Sequence, residues 1–332
     1  MMFLMGIRKL ISLLFLFIFI LGEHEAQSNE IKLLGNYEIS PTGIEIVYQR
    51  PIREIKGIVF LAHGCSHSAT DWWPADKNCP KCIGLPVERA IVTGALLNNY
   101  IALSQSSINR QDKCWTEEDN PRVIHSIQSI IKKFNLPENI PVHLLGASSG
   151  GNFVGHLALR AIEQGNLPIK IASATIQIMP LRITQHLPKQ RIPGLLFVHM
   201  ARDAFSAELI HQLISKHDTR YLQEMVINPL KIEPNFFNLH AGHLSLEDST
   251  VLYNSLKSAG FVDAAGLLVE DPRVSQWRSV ASKALPHIVP EQDSLISDQS
   301  GISELLNLAY AMHEITDENL DKVFEFMKSM EI

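Results

Sequence analysis

Short runs of apolar residues recur along the chain, and longer amphipathic stretches separate them. The runs are continuous rather than alternating, which is typical of strands buried on both faces of a parallel sheet. They lie at 57–62, 100–105, 142–145, 169–178 and 194–200. Helical periodicity is found between them, at 87–98, 123–134, 152–164 and 207–217. This alternation predicts an α/β fold whose central sheet is mostly parallel and carries helices on both faces.

The two ends of this pattern differ from its middle. Residues 37–40 and 43–49 alternate apolar and polar positions around a turn, which predicts an antiparallel hairpin. Residues 222–232 predict a further strand, whose internal proline places it at a sheet edge or a bulge. The stretch 234–301 is irregular, and we interpret it as a helical insertion or cap. An amphipathic helix at 317–330 closes the chain.

The first 28 residues have the composition of a secretory signal peptide. Arg8 and Lys9 precede a strongly apolar stretch from Leu10 to Leu21, and small residues follow at 26–28. The stretch is shorter than the roughly 20 residues that a membrane-spanning helix needs. We therefore expect a protein that is secreted or lies in the lumen of the secretory pathway, without a stable membrane span. Anchoring by an uncleaved signal is the alternative.

Residues 29–332 have the size and apolar content of one catalytic domain. The chain has 332 residues, of which 46% are hydrophobic, and a formal net charge of -6. This charge balance offers no basic surface for a polyphosphate, which argues against nucleic acid as a partner. There is neither a P-loop nor a dinucleotide-binding glycine motif in a suitable context, so we expect no cofactor and no metal.

Four cysteines lie in the first half of the chain, and an even number in an exported protein favours disulfides. We prefer the pairs Cys79 with Cys82 and Cys65 with Cys114, although three connectivities are open. The alternative is a zinc site, because Cys79-Pro80-Lys81-Cys82 has the spacing of a zinc knuckle. No second pair of ligands follows at a suitable distance, which argues against that alternative.

The strongest chemical signal is Gly146-Ala147-Ser148-Ser149-Gly150-Gly151, between a predicted strand and a predicted helix. In the nucleophile elbow of an α/β-hydrolase, a serine occupies a strained turn in this context, and its flanking residues must be small. We therefore predict Ser148 as the nucleophile of an α/β-hydrolase fold, with Ser149 as the neighbouring decoy. An ordinary Gly/Ser-rich loop is the alternative.

A second signal is His63-Gly64-Cys65, at the end of the strand predicted at 57–62. Hydrolases of this type place half of the oxyanion hole there, so the backbone N–H groups of Cys65 and Ser149 are the candidate donors. The Cys65 side chain needs no chemical role in this interpretation. For His63 we favour a structural role in holding the loop over a catalytic one.

The candidate acid is Asp203, which follows the strand predicted at 194–200 and fits the chain order Ser, Asp, His. Its alternative role is to cap the helix that follows. Two regions compete for the base. His240 and His243 lie 37 and 40 residues after Asp203, whereas His313 lies 110 residues after it and directly precedes the last helix. Spacing alone does not decide between them.

Several blocks together are similar to a group of eukaryotic α/β-hydrolase-superfamily proteins found in plants and protists. They are the block from His63 to Pro74 with its Asp-Trp-Trp, the blocks 79–86 and 114–115, the elbow 146–151, and the block 311–316. In that group the His-Glu-x-Thr element is a regular feature and the region of His240 and His243 is not. The resemblance therefore implies His313 as the base, with His243 as the alternative. It does not imply a substrate.

Trp72 and Trp73 follow the predicted oxyanion loop. They either line the substrate pocket, where an indole ring stacks on a sugar or an acyl group, or pack in the core. The residues together predict a secreted serine hydrolase that cleaves an ester or a related acyl bond of a small-molecule, lipid or carbohydrate substrate. The alternatives are a serine peptidase and a catalytically silent hydrolase fold that binds carbohydrate or lipid through the tryptophans.

Overall fold

A computed structural model describes residues 31–165, 167–183, 193–217, 220–289 and 301–331. Residues 1–30, which include the predicted signal peptide, lie outside the described residues. Leu33–Ile332 form one compact unit. Within the described ranges, no helix has both the length and the apolar character that crossing a membrane requires.

One eight-stranded sheet organises this unit. Its strands are β1 (Asn36–Ile39), β2 (Glu45–Gln49), β3 (Gly57–Ala62), β4 (Tyr100–Gln105), β5 (Pro141–Ala147), β6 (Lys170–Gln177), β7 (Gly194–Met200) and β8 (Leu222–Ile227). Their order in the sheet is β1-β2-β4-β3-β5-β6-β7-β8. The β1–β2 and β2–β4 pairs are antiparallel and all other pairs are parallel. The predicted hairpin and the five predicted inner strands are therefore present.

Helices follow the strands as the apolar periodicity predicts. They are α1 (Pro86–Leu97), α2 (Asn120–Lys133), α3 (Ser149–Gln164), α4 (Ala204–Lys216), α5 (Phe236–Ala241), α6 (Leu246–Ser258), α7 (Trp277–Ala284), α8 (Ile302–Tyr310) and α9 (Leu320–Ser329). Two short 3-10 helices lie at Ala69–Asp71 and Glu117–Asp119. The predicted start of α1 is one residue late and those of α2, α3 and α4 are three residues late, because the first turns carry polar or small residues that hide the apolar period. The last helix was predicted three residues too early, since α9 begins at Leu320.

Both faces of the sheet are covered, because successive side chains of a strand point to opposite faces. Ile101 on β4 packs in the apolar cluster that α2, α3 and α4 complete. Its neighbour Tyr100 stacks on Phe324 of α9, with ring centroids 6.2 Å apart. The inner strands therefore need apolar residues at every position, which explains their continuous runs. The predicted fold class is confirmed as an α/β-hydrolase fold.

The last strand lies at the sheet edge, as its proline predicts. β8 pairs with β7 alone, and it ends at Ile227 before Pro229. Proline cannot donate a backbone hydrogen bond, so a strand with a neighbour on each side does not continue through it. The predicted strand of 222–232 was therefore too long, because residues 228–232 are not part of β8.

The region after β8 builds a second apolar cluster. Buried side chains of α5, α6, α7 and α8 pack together, among them Phe237, Leu252, Trp277 and Leu305. This cluster includes α8, so the packing unit extends past residue 301, the predicted end of the insertion. Residues 290–300 lie outside the described residues.

The cysteines form the two predicted pairs. Cys65 is bonded to Cys114 and Cys79 to Cys82, with Cα atoms 4.3 Å and 5.4 Å apart. Since metal ligation by cysteine requires a thiolate, the bonded pair at 79 and 82 does not offer the zinc ligands of the alternative interpretation. Among the described residues, no group of three or more His, Cys, Asp or Glu side chains is arranged to hold a metal ion.

These pairs predict the outcome of a thiol titration. The protein purified from a secretory host, then denatured without reductant, should react with a thiol reagent at none of its four cysteines, because each sulfur is already bonded. After reduction all four should react. Two reactive thiols before reduction would mean that one of the pairs does not form.

Candidate active site

Ser148 lies in a sharp turn between β5 and α3, as the elbow pattern predicts. Its backbone has φ 53° and ψ -117°, a conformation that costs a residue with a side chain free energy. A Cβ atom on Gly146 would clash with the Gly150 carbonyl group, and one on Gly150 would clash with the carbonyl oxygens of residues 62 and 63. The small flanking residues therefore allow the close backbone approach that the turn requires.

His313 is the histidine that reaches Ser148. Its Nε2 atom lies 3.1 Å from Ser148 Oγ, and the two atoms form a hydrogen bond. The loop between α8 and α9 carries this histidine over the end of β5. His240 packs its ring against Phe236, and His243 Nδ1 bonds to a backbone carbonyl oxygen, so neither takes this position.

Asp203 lies in the turn after β7, beside the loop that carries His313. Its carboxylate accepts a hydrogen bond from Ser206 N at 3.0 Å and caps α4. The neighbouring Arg202 N donates to Ala311 O at 3.0 Å, which ties this turn to the loop of the histidine. Among the described residues no hydrogen bond joins Asp203 to His313. Asp203 acts on the imidazole through its charge, and its capping role is realised as well.

The charges around His313 determine its proton affinity. Burial and the cation of Arg273 lower the pKa of His313, and the anion of Asp203 raises it by a smaller amount, so the net shift is downward. The imidazole is therefore neutral near pH 7, with Nε2 able to accept the Ser148 proton. Arg273 is held by Asp271, which accepts two hydrogen bonds from its guanidinium group, at 3.0 Å and 2.6 Å.

Gln177, the last residue of β6, connects the nucleophile to the histidine loop. Its backbone carbonyl oxygen accepts from Ser148 N at 3.0 Å. Its side-chain amide makes two hydrogen bonds with the backbone of Thr316, three residues after His313, at 2.8 Å and 2.9 Å. One buried residue therefore holds both partners of the Ser148–His313 contact. The sequence analysis did not identify Gln177, and its only signal is its position at a strand end.

The loop after β3 lies beside Ser148. Cys65 borders the same cavity as Ser148, and Ser149 is the first residue of α3, where backbone N–H groups have no acceptor within the helix. His63 is fully buried. Burial lowers its pKa to about 3, so it is neutral; Nδ1 bonds to Gly64 O, and Nε2 accepts from Ser107 N. These bonds give His63 the structural role that we favoured.

Backbone strain is concentrated around this site. Of the eight described non-glycine residues with positive φ, three are asparagines, which tolerate that region. The other five are Ser66, Lys113, Ser148, Ile178 and Ala311. Ser66, Ser148 and Ile178 border one cavity, Ala311 precedes the histidine, and Lys113 bonds to Ser66 O. Ile178 is the most costly of these, because its side chain is β-branched.

A cavity of about 290 Å³ contains the hydroxyl of Ser148 and the ring of His313. Its wall combines apolar surface with the polar side chains of Glu88 of α1, Arg273, Asn307 of α8 and Glu314. Partial burial raises the pKa of Glu314, and the positive charges of His67 and Arg273 lower it by less. Glu88, Arg273 and Asn307 have no local motif and were missed by the sequence analysis, whereas Glu314 lies in the block that includes His313.

The structure corrects the prediction that Trp72 and Trp73 line the substrate pocket. Both side chains are fully buried, and neither borders the cavity at Ser148. Trp73 packs against Gly35 and donates to Gln49 Oε1 at 3.0 Å. The chain turns inward after the loop of His63, so these large rings fill the core beside the hairpin.

No protein-family model and no curated protein matches this chain. Solved structures do match in part. An esterase from Pyrobaculum calidifontis has a TM-score of 0.41 and 14% identity, over 69% of this chain and 85% of that chain. A thermostable esterase from Pseudomonas putida has a TM-score of 0.41 and 12% identity, over 61% and 75%. A further thermostable esterase has a TM-score of 0.40 and 14% identity over 59% of this chain, and the match spans 55% of its length. Similarities of this size carry no argument about activity.

The opposing charges around His313 predict opposite effects of two substitutions. Arg273→Gln removes a cation, which favours the imidazolium, so the pKa of His313 should rise. Asp203→Asn removes an anion, so this pKa should fall. Imidazole NMR signals followed against pH measure both shifts, and His313→Gln assigns the signal by its loss. Arg273→Lys is the matched control and should leave the pKa nearly unchanged. Shifts of the same sign in the two variants would contradict this electrostatic picture.

Proposed function

We propose that this protein is a serine hydrolase that cleaves a carboxylic ester through an acyl-enzyme intermediate. The observation that carries the proposal is the hydrogen bond between His313 Nε2 and Ser148 Oγ at a strained strand-to-helix turn. A neutral imidazole bonded to a serine hydroxyl is the arrangement that activates such a nucleophile. The fold alone would not support the proposal, because one fold carries many functions.

The chemistry follows from the positions of the named atoms. Ser148 Oγ attacks the carbonyl carbon while its proton passes to His313 Nε2. The carbonyl oxygen becomes an oxyanion, which we assign to the backbone N–H groups of Cys65 and Ser149. Collapse of this intermediate breaks the ester C–O bond, and the leaving alkoxide takes the proton from His313. Water then attacks the acyl-enzyme by the same route and releases the acid.

Asp203 has a supporting role in this proposal. Its negative charge stabilises the imidazolium that forms when His313 holds the proton, and Arg273 opposes that stabilisation. The assigned triad is therefore Ser148, His313 and Asp203. Asp203 makes no hydrogen bond to His313 in this structure and acts on it through its charge. Apo hydrogen bonds of catalytic groups are often loose and tighten with substrate, so this separation is compatible with the role.

We prefer an ester to a peptide bond because an alkoxide is a better leaving group than an amide anion, so an ester demands less of the general acid. The two disulfides support a location outside the cell or in the secretory lumen, since such bonds persist in oxidising compartments. We assign residues 1–28 as a signal peptide and 234–301 as a cap that brings Arg273 to the cavity. The alternative of a catalytically silent fold that binds carbohydrate or lipid through Trp72 and Trp73 loses its main support, because both tryptophans lie in the core.

A fluorophosphonate probe tests the nucleophile directly. It should label the protein at Ser148, and Ser148→Ala should abolish labelling and lower the turnover of p-nitrophenyl acetate by about three orders of magnitude or more. The melting temperature should change little. Ser149→Ala is the matched control, because the Ser149 hydroxyl accepts from Trp115 N and does not border the cavity. If the folded wild-type protein does not react with the probe, the result would favour a binding protein over an enzyme.

The base is tested by His313→Gln, which keeps polarity but supplies no comparable proton acceptor. Turnover should fall about as far as in Ser148→Ala, because the members of a triad act as a unit. His243→Gln is the matched control, since its ring bonds to Ala241 O and not to the nucleophile. Near-normal turnover in His313→Gln together with loss in His243→Gln would move the base to His243.

A further inference from the structure

We propose that the disulfide between Cys65 and Cys114 positions the oxyanion hole, and that its reduction in the folded protein lowers the rate of ester hydrolysis. The inference rests on the proposed function and adds to it two positioning residues and a dependence on an oxidising compartment. It concerns two short segments. Residues 63–66 form the oxyanion loop, which follows β3, and residues 112–115 form a strap that lies against this loop.

The oxyanion loop lies directly beside the nucleophile. A Cβ atom placed on Gly64 would lie 3.9 Å from Ser148 Cβ. Cys65 follows Gly64 and borders the cavity that holds Ser148. Its backbone N–H donates to no acceptor among the described residues. This N–H is therefore available to the oxygen of a bound ester, and its placement determines how well it stabilises the oxyanion.

The strap holds the oxyanion loop by hydrogen bonds at both ends of the loop. At one end, Ser66 N donates to Asp112 O at 2.8 Å, and Lys113 Nζ donates to Ser66 O at 3.2 Å. At the other end, Trp115 Nε1 donates to His63 O at 2.8 Å. These contacts flank the disulfide in both segments. The proposed donor of the oxyanion loop is therefore held from each side and through its own side chain.

The strap also contacts the helix that carries the second proposed donor. Trp115 is buried, and its ring stacks on Phe153 of α3 with centroids 4.6 Å apart. Ser149, whose backbone N–H we assign to the oxyanion hole, is the first residue of α3. Trp115 therefore joins the two elements that carry the two donors, and the strap sets the position of one element relative to the other.

Backbone strain makes the oxyanion loop dependent on the disulfide. Ser66, which follows Cys65, has φ 68°, and Lys113, which precedes Cys114, has φ 58°. A positive φ costs a residue with a side chain free energy and persists only where surrounding contacts enforce it. The disulfide is the covalent part of that enforcement. When it opens, both residues can relax towards negative φ, and relaxation at Ser66 displaces the neighbouring Cys65 N–H.

The two disulfides of the protein differ in their access to solvent. Cys65 and Cys114 are half-buried, whereas Cys79 and Cys82 are 0% and 2% exposed. Because thiol–disulfide exchange requires a thiolate to reach a sulfur atom, a dithiol in solution should open the first bond before the second. One thiolate forms a mixed disulfide and releases one cysteine, and the other thiolate then closes a cyclic disulfide and releases the second cysteine. The dithiol loses two electrons, and both cysteines end as protonated thiols.

Mild reduction of the folded protein tests the proposal without a substitution. Dithiothreitol is added below the melting temperature, and alkylation with peptide mapping identifies the reduced cysteines. With Cys65 and Cys114 reduced and the other disulfide intact, kcat/KM for p-nitrophenyl acetate should fall about tenfold or more, because one oxyanion donor is displaced. Reoxidation should restore it. Unchanged kcat/KM in this state, or a bond between Cys65 and Cys114 that dithiothreitol does not open first, would overturn the proposal.

Cys114→Ser removes the same bond and leaves Cys65 with its backbone N–H in place. Its kcat/KM should match that of the reduced wild-type protein, and dithiothreitol should lower it no further. The matched control is the double variant Cys79→Ser/Cys82→Ser, which lacks the other disulfide and should keep both the wild-type kcat/KM and its sensitivity to dithiothreitol. Wild-type kcat/KM in folded Cys114→Ser would overturn the proposal. If Cys114→Ser does not fold, reduction of the wild-type protein decides.

A trifluoromethyl ketone distinguishes a positioning role from mere stabilisation of the fold. Ser148 Oγ adds to the carbonyl carbon of 1,1,1-trifluorobutan-2-one, and the hemiketal hydroxyl that forms ionises at lower pH when N–H donors stabilise its oxyanion. The 19F NMR signal reports this ionisation. In Cys114→Ser or the reduced protein the midpoint should rise by about one pH unit or more, which corresponds to a tenfold loss of oxyanion stabilisation. An unchanged midpoint would mean that the disulfide does not position the oxyanion hole.

Fluorophosphonate labelling separates this proposal from the proposed function. Labelling of wild-type Ser148 together with hydrolysis that is insensitive to reduction at Cys65 and Cys114 would overturn the positioning role and leave the serine hydrolase in place. Absence of both labelling and hydrolysis in the oxidised wild-type protein would overturn the proposed function itself.

Discussion

The site depends on the strained backbone of Ser148. A residue with a side chain adopts φ 53° only where the surroundings enforce it, and here the enforcement comes from backbone packed against backbone around Gly146 and Gly150. That packing exists because β5 lies between β3 and β6, so the loops after all three strands meet at one edge of the sheet. The nucleophile, the loop of Cys65 and the amide of Gln177 converge there as a consequence of strand order. The later segments of the chain then pack onto an edge that the sheet has already formed.

Two sets of charged or titratable side chains lie near this edge of the sheet. Burial and Arg273 lower the pKa of His313 and Asp203 raises it by less, so the imidazole is neutral near pH 7 and can accept a proton. On the neighbouring wall, burial raises the pKa of both Glu88 and Glu304, which form a hydrogen-bonded pair of carboxyl groups. Arg273 and Glu304 both belong to the region after β8, so this region adds charged groups at this edge that the sheet does not supply.

Local patterns in the sequence were enough to predict the strands, the elbow with Ser148 and the two cysteine pairs, because each depends on residues that are close in the chain or on a burial pattern that repeats. The histidine was different. His313 lies 110 residues after Asp203, and only the resemblance of its surrounding block favoured it over His243. Glu88 and Glu304 are more than 200 residues apart in the chain, so no local sequence pattern predicts that they pair. The tryptophans were misplaced because their position after the oxyanion loop suggested a pocket, whereas burial beside the hairpin decides where they point.

The double role of Gln177 has a dynamic consequence. Its backbone oxygen accepts a hydrogen bond from Ser148 N, and its side chain bonds to the backbone of Thr316 in the loop that carries His313. Both segments are therefore attached to the end of one buried strand. Because both contacts are made by Gln177, we expect a displacement of this strand end to be transmitted to the serine and the histidine together. Their separation then varies less than the position of either group. Correlated displacement of this kind would keep the reacting atoms aligned even while the loop that carries the histidine moves as a body.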